Sequence, residues 1–165
     1  MSAKSLYEED FHAWALEQAR VLRALRPGAK LPNDLDQDHV AEEIEDLGNE
    51  QRFQVESNLR QAMVHLIKVA VFPDEPAVPN WPQEVNAFLD TAHDRYSPSM
   101  ARAIDIQRMW EKSVRRSAAD MRITGQRLPV LPVETPFILG DLIAEDVDTL
   151  ALVTRLRVAL SPASP

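Results

Sequence analysis

Between Asp36 and Phe72 the chain contains no proline and a single glycine, and its apolar residues recur at three- and four-residue steps. Val40, Ile44, Leu47, Gly48, Gln51, Val55, Leu59, Ala62, Leu66 and Val69 follow one line on a helical surface. Such a stretch predicts one very long helix, or two stacked ones, and other segments must be laid along it to cover its apolar side. Phe53, Met63, Val64, Ile67 and Val71 add a second apolar face toward the C-terminal end, which predicts burial there on two sides. Gly48 sits on the stripe, where it marks either a kink or the close approach of a neighbouring helix.

The remaining segments supply those neighbours. Leu6, Phe11, Trp14, Leu16, Ala19, Leu22 and Leu25 predict a first helix over Tyr7–Arg26, with Ser5 as its cap and Pro27-Gly28 as its stop. Pro73 ends the long helix, and PDEPAVPNWP reads as a loop. A third helix opens at Asn80-Trp81-Pro82 and runs to about Tyr96. Ser97-Pro98 then starts a fourth, with Met100, Ala103, Ile104, Gln107, Trp110, Val114, Ser117 and Met121 facing inward. Thr135-Pro136 repeats that signal before a short fifth helix, FILGDLIAED. The tail from residue 149 alternates like a strand yet also fits a helix, and with no sheet partner in view helix is preferred. The expectation is an all-α bundle of four main helices, one very long, plus a short fifth. It forms a single domain over residues 1–148, with an extension over 149–165 that is helical or partly disordered.

Charge narrows the function classes. Residues 34–50 hold eight acids (Asp34, Asp36, Asp38, Glu42, Glu43, Glu45, Asp46 and Glu50) and no Lys or Arg, which equals the whole chain's net charge of −8. Such a face repels phosphate backbones, and no nucleic-acid motif is present. The absence of Cys excludes disulfides, thiol catalysis and cysteine-ligated clusters. No N-terminal stretch resembles a secretory signal and no window approaches a membrane span, so a cytoplasmic location is expected. Phosphate loops, HExxH and GxSxG are absent.

Glu9-x-x-His12, Asp36-x-x-His39 and Asp90-x-x-His93 have the spacing of bundle metal ligands. Folding the first helix back along the second separates His12 from His39 by about 18 Å, and His12 from His93 by about 12 Å. Ligands must lie within roughly 2–2.6 Å of one ion, so no metal and no other cofactor is expected. An acid–base pair of Glu42 or Glu43 with His65 spans about 33 Å on a continuous helix and needs a break near Gly48 or an antiparallel pair of chains. Trp14, Trp81 and Trp110 read as core anchors.

Several pieces fall in a characteristic order: LYEEDFHAWALEQARVLR, AEEIEDLG, HLIK, the Trp that opens the third helix, and SPSM. This order resembles the bacterial domain-of-unknown-function family twenty-nine over roughly Leu6 to Asp146. The family pattern maps onto Trp14, Glu42, Glu43, Glu45, Asp46, Gly48, His65, Lys68 and Trp81. The resemblance implies an all-helical fold and supplies no mechanism. Asn80 departs from a usual Ser, and Glu134-Thr135-Pro136 from a common Cys-Pro, so no role for that cysteine carries over. The expected function is a non-catalytic interaction or adaptor module, with a homodimer as a candidate state, the acidic segment and the apolar tail 149–160 as docking surfaces and a basic protein surface as partner. The alternative is a metal-binding or hydrolytic bundle built on the acids and His65.

Overall fold

The computed structural model describes residues 3–25, 32, 34–72, 80–123 and 125–160. Among them every regular element is helical: α1 (Ala3–Glu9), α2 (Phe11–Ala24), α3 (Gln37–Val71), α4 (Trp81–Arg95), a 3-10 turn (Pro98–Arg102), α5 (Ile106–Ile123), α6 (Leu139–Leu142) and α7 (Thr149–Leu160). The all-α expectation and the single long helix are both met, since α3 runs unbroken through Gly48. The Pro27-Gly28 stop, the loop from Pro73 to Pro79 and the last five residues lie outside the described residues.

The first predicted helix is in fact two. Asp10 breaks it, and its carboxylate accepts a hydrogen bond from the Ala13 amide at 2.8 Å, which makes Asp10 the N-cap of α2. Ser5, expected as the cap, lies inside α1. The predicted fourth helix also divides. Its Ser97-Pro98 start opens only the 3-10 turn, and α5 begins afresh at Ile106, where Asp105 accepts from the Arg108 amide at 2.9 Å. The predicted fifth helix shrinks to four residues, because Thr135 turns its hydroxyl to the Phe137 amide and holds a local turn instead. The tail is helical, as preferred, capped by Asp148 at the Ala151 amide.

The chain groups into two compact units. The first comprises residues 1–54 and 95–103, and so holds α1, α2, the N-terminal half of α3 and the 3-10 turn. Its buried residues on α2 and α3 include Ala15, Ala19, Ala41 and Gly48. Small residues let α2 cross close to α3: a Cβ placed on Gly48 would stand 2.9 Å from the Ala15 Cβ. This corrects the phase of the predicted stripe. Val40 and Leu47 are exposed, because the tight crossing selects Ala41 and Gly48 and leaves no depth for larger side chains. Gln37 reaches back to the carbonyls of Leu22 and Leu25, which closes the C-terminal end of α2.

The second unit comprises residues 55–94 and 104–165. Here α3 is buried on two sides as expected, with Val55, Leu59, Ala62, Met63, Leu66 and Ile67 fully enclosed. Trp110 donates its indole N–H to the Pro132 carbonyl at 2.9 Å and meets Phe137 edge-on at 5.8 Å, so the proline-rich connector is pinned to α5. Arg157 on α7 donates to the carbonyls of Val69 and Ala70, which satisfies the last turn of α3. Leu152, Val153 and Leu156 of α7 are thereby buried, and Leu150 and Val158 face outward.

Candidate functional site

In the first unit the α1–α2 junction and the 3-10 turn meet through three polar side chains. Ser99 donates its hydroxyl to Asp10 Oδ1 at 2.7 Å and its amide to Asp10 Oδ2 at 3.0 Å. His12 Nδ1 lies 2.7 Å from the same hydroxyl oxygen. Ser99 has one proton and gives it to Asp10, so His12 must donate through Nδ1–H. That polarity is the reverse of a hydrolase, in which histidine takes the serine proton. His12 is only 3% exposed. Burial holds its pKa below the ordinary range, Arg52 adds to the effect and Asp10 opposes it. The trio is therefore a structural clamp with neutral imidazole. It joins LYEEDFHAW to SPSM, two of the stretches that carry the family resemblance. No spacing rule connects residues so far apart in sequence, and the N-cap signal at Asp10 is masked by the apolar stripe running past it from Leu6.

The acids of residues 34–50 stand mostly in solvent. Glu42, Glu43, Asp46 and Glu50 are exposed, and among the described residues only Glu45 is drawn into an interhelical pair, with Arg23 at 2.5 Å. Arg20 pairs with Glu17 on its own helix. Asp36 is engaged by His39 at 2.5 Å, which lowers the Asp36 pKa and raises that of His39. Leu47 and Phe53 are also exposed, at 53% and 54%. Open grooves of about 310 and 230 Å³ flank Leu47. One is lined by Glu43, Asp46, Asn49 and Phe53, the other by Phe11, Gln51, Gln54 and Arg95, and Glu50 borders both. Phe11 belongs to a cluster with Trp14 and Tyr7, whose ring centroids lie 4.8–5.6 Å apart.

His65 and Lys68 belong to the second unit. A pairing of His65 with Glu42 or Glu43 within one chain needed a break near Gly48, and α3 runs through that position unbroken. His65 instead faces Glu84 of α4, with Nδ1 2.7 Å from the carboxylate but off the line a hydrogen bond requires. Its ring packs 5.5 Å from that of Phe88. Burial pushes its pKa down, Lys68 adds to that, and Glu84 and Asp120 pull the other way. Trp81 opens α4 half-buried. His93 contacts the Ile143 carbonyl at 2.8 Å. The three histidines of the acid-x-x-His spacings thus serve separate local contacts. Among the described residues no group of three or more His, Asp or Glu side chains gathers to hold a metal ion.

Among the described residues the fold is all-α, and a buried polar clamp of Asp10, His12 and Ser99 ties the α1–α2 junction to the 3-10 turn. Residues 6–147 match the model of the family described as "Domain of unknown function DUF29", and the chain belongs to that family. It is also similar to an alpha-helical protein of unknown function from Rhodospirillum rubrum, known from a crystal structure. The two are 34% identical, the similarity covers 91% of this chain and 96% of the other, and the TM-score is 0.84. No curated protein matches the chain. No helix among the described residues is long and apolar enough to cross a membrane.

Proposed function

We propose that this domain is a non-catalytic interaction module that docks a basic, amphipathic segment of a partner protein on the outer face of α3. The observation that carries this reading is the mixture of exposed residues at helical spacing. Glu43, Asp46, Leu47, Glu50 and Phe53 recur at three- and four-residue steps and share one face. Solvation alone accounts for the carboxylates. It does not account for two large apolar side chains more than half exposed among them. A partner helix with Lys or Arg beside Leu- or Phe-type anchors matches both features, the anchors seating beside Leu47 and the cations facing Glu43, Asp46 and Glu50.

The test is co-purification of the tagged domain from its own host, followed by native mass spectrometry. Wild type is expected to retain a stoichiometric protein whose bound segment is basic, and to release it progressively as salt is raised. The L47S/F53S and E43Q/E50Q variants are expected to lose it, and an α7 surface variant, V158S, to keep it. Retention of the same protein by both face variants would refute the reading.

A further inference from the structure

A second surface has the opposite charge. In the second unit, α3 and α5 enclose a pocket of about 300 Å³ whose polar lining includes Arg60, Gln61, Lys112, Ser113 and Arg116. Arg60 is half-buried, and its Nε is sealed from solvent with no hydrogen-bond partner. A buried guanidinium nitrogen without a hydrogen-bond partner carries the desolvation cost of a polar group with nothing in return. Arg116 pairs with Asp120 at 3.0 Å, and no ion pair to Lys112 is formed among the described residues. The chain has a surplus of eight carboxylates, yet none lines this pocket.

We propose that this pocket is an anion site for a small phosphomonoester. Two guanidinium groups and an ammonium converging on one concavity suit a compact dianion. The volume lies at the small end of ligand pockets. No aromatic ring lines it, so it offers no stacking platform for a nucleobase. Val64 is the apolar wall, which leaves room for a short polar carbon chain behind the phosphate.

The proposal is tested by titrating the purified full chain at constant ionic strength with inorganic phosphate, glycerol 3-phosphate and citrate. Binding is read by calorimetry and by backbone amide NMR. Saturable binding of glycerol 3-phosphate is expected, with amide shifts centred on Arg60 and Ser113. K112A/R116Q alters two exposed side chains and is expected to weaken it at least tenfold. R115Q/R127Q, which removes two cations lining a separate groove beyond α5, is expected to bind as wild type does. Equal weakening in both variants would reduce the effect to net charge and overturn the site. So would shifts centred elsewhere, or no saturable binding at millimolar ligand. Tighter binding of citrate would overturn the phosphate assignment.

Discussion

At Gly48, buried where α2 crosses α3, two physical effects oppose each other. Replacing a helical glycine with alanine ordinarily stabilises by up to about 1 kcal/mol, through backbone entropy. Here the added Cβ would lie 2.9 Å from the Ala15 Cβ and 3.5 Å from the His12 carbonyl oxygen. Carbon atoms pack best at about 3.5–4.0 Å, so α2 or α3 must give by roughly 1 Å. The obstacle is a rigid methyl carried by a helix backbone, which no rotamer change can relieve. Overpacking of this kind costs about 1–3 kcal/mol, so Gly48→Ala is expected to destabilise by a net ~1–2 kcal/mol. Ala15→Gly in the same chain should recover part of that loss, which gives a coupling of at least about 1 kcal/mol in a double-mutant cycle. Urea denaturation of the four proteins measures the cycle, and hydrogen exchange on α2 localises the change. If Gly48→Ala matched or exceeded wild-type stability with no coupling to Ala15, the close crossing would be wrong.

Other outcomes follow from the clamp, the histidines and the core. Asp10→Ala removes an N-cap together with two contacts to Ser99, and should lower unfolding free energy by about 2–3 kcal/mol in denaturant titration. His12 and His65 both have folded pKa values below the ordinary imidazole value of about 6.5. The unfolded chain therefore binds more protons than the native one as pH falls past that value, and stability present above it is lost toward acid. Imidazole NMR should show both titrating below His39, whose folded pKa is raised by Asp36; the reverse order for His12 would contradict its burial in the clamp. Trp110→Ala should cost about 3–5 kcal/mol, read as a lowered melting temperature, since it empties a buried ring site and orphans the Pro132 carbonyl. Strong chelator should leave the melting curve unchanged, and a chelator-induced drop would restore the metal-binding alternative.

Local pattern left open whether residues 36–72 form one helix or two, but it was enough to determine the helical class and the two-sided burial of α3 toward its C-terminus. Each depends on apolar periodicity within one segment, and that survives whatever the segment packs against. The buried positions Trp110, Ser117 and Met121 of α5 were readable for the same reason, whereas Met109 and Ser113 were not, and the helical tail was readable for want of a sheet partner. Tertiary structure alone decided which side of the first half of α3 is buried. Val40 and Leu47 carry the more hydrophobic side chains, yet Ala41 and Gly48 face α2, because the cost of separating two helices outweighs the gain from burying a leucine between them. The same choice leaves Leu47 among the carboxylates and so creates the mixed face. Asp10, His12 and Ser99 meet because the turn at Pro98 returns to the α1–α2 junction, and Arg60 meets Lys112 and Arg116 because α5 runs beside α3. Those encounters join residues tens of positions apart, where sequence order holds no distance information and only the packed chain supplies it.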